Sequence, residues 1–155
     1  MDRSYAADNA RELERLRALV SKLSDQELGS MVNEHWTVAG VLGHIAFWDG
    51  RALFLAGKLQ RDGAFTPSET EPENVDWIND STRPLIHAIL PRHAAEVALR
   101  IAEETDELVA SLSAELIAKI DDQSPLNPVR AEHRGEHLDE IEAALAGRNA
   151  TRRPT

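Results

Sequence analysis

A chain of 155 residues without a cysteine is about one domain long, and it must build its core without disulfides, thiolate metal sites or iron–sulfur clusters. Its 27 acidic residues against 17 basic ones give a formal net charge of −10, which works against binding phosphate backbones or anionic membrane surfaces. The N-terminal stretch has no apolar signal core, and the longest run without Asp, Glu, Lys or Arg, 35–48, falls short of the ~18 apolar residues a membrane helix needs.

Alanine and leucine far outnumber valine and isoleucine, which favours helix over sheet. The first helix is predicted from about Asp8 to Leu23, with Ala10, Leu13, Leu16, Val20 and Leu23 at helical spacing. An irregular passage from Ser24 through Asn33 follows. Thr37 is the expected N-cap of a second helix carrying Val38, Val41, Leu42, Ile45 and Trp48 and ending near Gly57. Residues 60–73 read as a long loop, with Asp62-Gly63 as a turn and Pro67 and Pro72 as breakers.

A third helical region is expected from about Asn74 to Leu112, broken by Pro84 and Pro91. Its first piece ends near Ile89, and Pro91 opens the long second piece as its first residue. Ala94, Val97, Ala98, Ile101, Thr105, Leu108 and Leu112 share a face there, and Glu103, Glu104, Asp106 and Glu107 read as mostly solvated. The last helix is predicted to start at Asn127-Pro128 and to end near Gly147, leaving 148–155 as an Arg-rich disordered tail. The fold class is therefore all-α: an antiparallel four-helix bundle over residues 1–147, with a long crossover between helices two and three.

The six histidines carry the chemistry. His133 and His137 are four apart and share a helix face. With His137 at zero and 100° per residue, His133 lies at about −40° and Ile141 at about +40°, so both imidazoles border the apolar stripe. His44 falls about 60° from Val41, at the edge of its own helix's buried arc. Three imidazoles from two facing helices can hold Zn²⁺, Ni²⁺, Fe²⁺ or Cu²⁺ with a coordination position left open. The competing reading makes them hydrogen-bonded core residues. Residues 133–137 also spell H-x-x-E-H, but Glu136 lies about 100° from His137, toward solvent, and reads as a surface acid instead of a peptidase base. His35, His87 and His93 have no partner at ligand spacing and read as loop or packing residues. Trp36 and Trp48 flank the His44 helix as core or lid packing, and Asp49 is either an acceptor orienting a ligand imidazole or an exposed acid.

The run Trp36-Thr37-Val38-Ala39-Gly40-Val41-Leu42-Gly43-His44-Ile45-Ala46-Phe47-Trp48-Asp49 resembles the second-helix signature of the DinB-like superfamily, a Trp-Ser/Thr-Val opening followed by Leu-x-His, an aromatic residue and an acid. The resemblance implies a four-helix bundle with a divalent metal held by a histidine on helix two and an H-x-x-x-H pair on the last helix. Its places are filled by His44, His133 and His137. The superfamily includes thiol-dependent transferases, the N-terminal domain of a mycothiol-dependent isomerase and a colibactin self-resistance branch that does not depend on such a triad. For this chain it implies a metal-dependent transferase or hydrolase using Zn²⁺ or Ni²⁺ and a low-molecular-weight thiol against a small electrophile. The alternative is a catalytically silent bundle acting as a stress or interaction protein. A cytoplasmic location and a small-molecule partner are expected, without nucleic acid or membrane; a monomer and a homodimer both suit the sequence.

Overall fold

A computed structural model describes residues 4–65, 75–121 and 124–151, the side chains of 149–151 excepted, and among these every named element is a helix, joined by irregular stretches. The elements are α1 (Tyr5–Lys22), α2 (Asp25–Leu28), α3 (Val38–Asp62), α4 (Val75–His87), α5 (Pro91–Ser111), α6 (Ala114–Ile117) and α7 (Ala131–Thr151). α3 packs mainly on α5 and also touches α4 and α7, while α1 lies against α5 and α7. By length and composition α3 could cross a membrane, yet 61% of its most apolar window is buried inside the molecule, as in a core helix.

The helix boundaries follow local chemistry. Thr37 caps α3 as expected, its side chain accepting from the Gly40 N–H at 3.0 Å. α3 continues past Gly57 to Asp62 and stops at Gly63, whose φ of 71° is the left-handed conformation that glycine adopts without a Cβ penalty. α2 lies within the passage read as irregular. A reciprocal capping box between Ser24 and Glu27 satisfies its first turn. Pro84 sits inside α4 without ending it, because the ring is exposed and water can take up the carbonyl it leaves unpaired. Pro91 opens α5 as expected. Pro67, Pro72 and Asn74 lie outside the described residues.

α5 is rotated slightly from the expected face. Ala94, Ala95, Ala98, Ala102, Thr105 and Val109 are buried, and Val97, Ile101 and Leu108 are only partly so. Small alanine side chains on the inward face let neighbouring helices approach closely, which the larger aliphatic residues would prevent.

The start of α7 departs most from expectation. Asn127 does not cap it; its side chain accepts from the Val129 N–H at 2.9 Å, forming a local turn. The helix opens at Ala131 and is capped from outside by Asn9 of α1, whose side-chain oxygen accepts from the Arg130 and Ala131 N–H groups at 2.8 and 2.9 Å. The Asn9 amide donates to the Pro128 carbonyl at 2.8 Å. Neither end of this contact is visible locally, since the partners are about 120 positions apart. α7 also runs through Gly147 to Thr151, so residues 148–151 of the expected tail are helical, and 152–155 lie outside the described residues.

Among the described residues, the buried apolar side chains form two clusters. One gathers Leu16, Leu42, Ile45, Ala98, Leu138 and Ile141, the other Tyr5, Ala56, Leu59, Val109, Leu112 and Leu126. Between them, along each of the four long helices, lies a buried polar residue: Asn9 on α1, Asp49 on α3, Thr105 on α5 and Arg134 on α7. Asn9→Ala removes both the cap and the tether between α1 and α7. A loss of about 1–3 kcal/mol in urea unfolding is expected, against a few tenths for Asn127→Ala.

Candidate metal centre

Asp49 is fully buried and accepts two guanidinium hydrogen bonds, from Arg130 Nε at 2.8 Å and Arg134 Nε at 2.7 Å. Arg134, also fully buried, reaches on to Asp106 with both terminal nitrogens, at 2.8 and 2.9 Å. Burial opposes the Arg134 charge, but Asp106 and Asp49 outweigh it and push its pKa up, so it stays cationic. Two guanidinium groups and two carboxylates thus close a neutral buried network. Asp49 is neither an exposed acid nor in contact with an imidazole. Asp106 is likewise not part of a solvated face, since Arg134 draws it inward. The sequence does carry a signal for both: Arg134 falls about 60° from His137, amid Ile141 and Leu145, and Asp49 lies among the angles of Leu42, Ile45 and Ala56. A charge centred in an apolar arc requires a buried partner.

Arg130, just before α7, and Arg134 within it bracket His133, and His44 lies about one and a half turns before Asp49 on α3. The network therefore fixes the two helices relative to each other at the histidines. His133 Nε2 sits 3.2 Å from His44 Nε2, and the His137 ring centroid is 4.7 Å from each of the other two. One nitrogen of each ring lies within 4.8 Å of the others, so the group can hold a metal ion. Two nitrogens on a tetrahedral zinc are about 3.3 Å apart, given bonds of ~2.05 Å, so the His44–His133 pair is already at ligand spacing. Neutral imidazole nitrogens are a donor set for Zn²⁺, Ni²⁺ or Cu²⁺ and a poor one for Mg²⁺ or Ca²⁺.

The opposite edges of the rings differ. His137 Nδ1 is 3.0 Å from Glu140 Oε2, which holds the proton on Nδ1 and leaves the Nε2 lone pair for the cluster. His133 Nδ1 lies 3.4 Å from Arg130 Nη2, a donor only, so this contact favours the proton on His133 Nε2, directed at His44. His44 Nδ1 is buried and without a partner among the described residues. Glu140 was not anticipated, although its spacing of three from His137 places it on the same helix face.

The triad opens onto a cavity of about 500 Å³, walled by Trp36 and Trp48 and edged by Asn33, Asn79, Asn127, Arg130 and Glu140. Asn33 accepts from the backbone of His35 and Trp36, which sets the Trp36 wall. Asn79 on α4 accepts from the Trp48 indole at 3.0 Å, tying α4 to the cavity mouth. Both tryptophans are thus cavity walls as well as packing residues. Of the other histidines, His35 and His93 are exposed, and His87 packs edge-on against Trp36 with ring centroids 5.3 Å apart. Glu136 is exposed, as read from its helical angle.

Burial and the neighbouring His137 lower the His44 pKa to about 4, and burial foremost, followed by His137 and Arg130, lowers that of His133 to about 2. Both folded values lie below the ordinary 6.5, so below pH ~6.5 the unfolded chain binds protons that the folded one refuses. The stability conferred by His44 is thus complete above about pH 6.5 and is lost as pH falls toward 4, by at most about 3 kcal/mol. Urea midpoints of metal-free protein across this window should fall with acid, and His44→Gln should flatten the slope. Asp49→Ala leaves two buried guanidinium groups short of a partner and should cost about 3–5 kcal/mol by the same measurement.

Residues 9–139 match the DinB superfamily, a span that includes the second-helix signature, the buried network and all three histidines. Neither the curated proteins nor the solved structures compared with it give a match. With most of its length matched to that family, the chain belongs to the DinB superfamily.

Proposed function

We propose that the protein is a metal-dependent enzyme, a transferase or hydrolase that acts on a small electrophilic molecule, with a low-molecular-weight thiol as co-substrate in the transferase case. The observation that carries this reading is the convergence of His44, His133 and His137 on one cavity, with their nitrogens within 4.8 Å of one another. These three residues would hold Zn²⁺ or Ni²⁺. When bound, the ion supplies Lewis acidity toward a substrate oxygen or an incoming thiol. The chain's own residues do the rest: Glu140 orients His137, Trp36 and Trp48 exclude water from the cavity walls, and the asparagine amides position polar groups of the substrate. On this reading the four long helices form the antiparallel bundle of the family, with α4 in the crossover, and the enzyme works in the cytoplasm as a monomer or homodimer.

One observation favours a silent helical module serving in stress or interaction. The 3.2 Å contact between His44 and His133 lets the two imidazoles satisfy each other without an ion. Elemental analysis separates the readings. After chelation and reloading with zinc or nickel, close to one equivalent per chain should remain, and a hundredfold excess over Kd should stabilise the fold by about 2.7 kcal/mol. His137→Ala should lose both effects and His93→Ala neither. Because His44 and His133 stay neutral well below pH 6.5, acid should release the metal later than it would from three free imidazoles. Metal content well under half an equivalent, without a melting shift, leaves the silent module. Turnover of epoxide, maleyl or ester substrates with added thiols, abolished by chelation, completes the test.

A further inference from the structure

We infer that Arg130 is a carboxylate-binding residue and that the cavity takes a small substrate bearing an anionic carboxylate beside an apolar or flat body. This names the substrate class for the enzyme proposed above, and it rests on that reading for the cavity's role. The Arg130 side chain is only 9% exposed, a costly place for a cation unless most of its donors are used. Its Nε is committed to Asp49, and Nη2 makes only the long 3.4 Å contact with His133; among the described residues Nη1 has no hydrogen-bond partner. By contrast, every nitrogen of Arg134 has a partner, in Asp49, Asp106 or the Ala102 carbonyl. Of the two buried guanidinium groups, the one lining the cavity is thus the one with a nitrogen left unpaired among the described residues.

Two Nη groups in one plane match the two oxygens of a carboxylate, and a pair formed in a half-buried cavity is stronger than one in water. Asp49, itself held by Arg134, anchors the guanidinium through Nε, so the fork is held before a ligand arrives. A carboxylate held there lies next to His133 and extends its body between Trp36 and Trp48. Glu140, on the His137 side, repels a second anionic end, so the polarity of the cavity orients the ligand.

The test uses chelator-treated protein and benzoate, with benzamide as the neutral isostere, followed through the indole N–H resonances of Trp36 and Trp48 by NMR. Benzoate should saturate these shifts at a concentration at least ~10-fold lower than benzamide does. Arg130→Lys should weaken benzoate ~10-fold or more while leaving benzamide unchanged, and Arg130→Gln should bring the two ligands level. Equal binding of the two ligands to the unaltered protein overturns the inference, as does benzoate binding to a folded Arg130→Gln variant at the original strength. Should Arg130→Gln fail to fold, the benzoate-to-benzamide ratio of the unaltered protein and the Arg130→Lys result decide by themselves. Because no metal is present, a protein that fails to retain zinc but prefers benzoate refutes the metal reading alone, and the reverse outcome refutes only the role of Arg130.

Discussion

The structure depends on one carboxylate. Asp49 lies at the middle of α3, and its two oxygens meet two guanidinium groups, from Arg130 just before α7 and Arg134 in its first turn. A buried carboxylate without such partners would be prohibitively costly, and so would the two arginines without it. The network therefore dictates where α7 lies against α3, in both register and rotation. Arg134 extends the constraint to α5 through Asp106, and Asn9 extends it to α1 by capping α7 across the core. One polar layer between two apolar clusters thus aligns all four long helices.

The histidines inherit their geometry from that layer. His133 stands between the two anchored arginines, and His44 stands just before the anchoring aspartate. The 3.2 Å approach of their Nε2 atoms needs no attraction between the rings; it follows from helices already held in place. Burial then keeps both imidazoles neutral, which is the protonation state a metal ligand needs. His137, one turn further on, is less constrained by the layer and is oriented instead by Glu140 at the surface.

The same layer has an unequal edge. Arg134 spends its nitrogens inside the core, while Arg130 spends Nε on Asp49, touches His133 through Nη2 at 3.4 Å and lines the cavity. A structural salt bridge and a recognition surface can share a guanidinium in this way because its five donors point in different directions within one plane. α4 supplies the remaining wall, docked on α3 where Gly40 and Gly43 leave room for His87 and Ile86; a Cβ at either glycine would come within 2.6 Å of those side chains. The two glycines of the second-helix signature thus serve close packing beside the cavity.

By itself the sequence determined the helical class, the Thr37 cap, the Pro91 start, the family signature and the inward faces of His44, His133 and His137. Each of these is a matter of spacing or of residues within one helical turn, so the local chain carries it. The partners across the core were decided only by tertiary structure. Asn127-Pro128 reads as a helix start, yet the cap of α7 comes from Asn9, because a side chain from α1 reaches the orphan N–H groups that Asn127 turns away from. Asp106 reads as one more acid on a solvated face until Arg134 arrives from α7 to neutralise it. Helical periodicity fixes the angle at which a residue leaves its own helix. It says nothing of which residue comes to meet it, since that depends on the packing of all four helices at once.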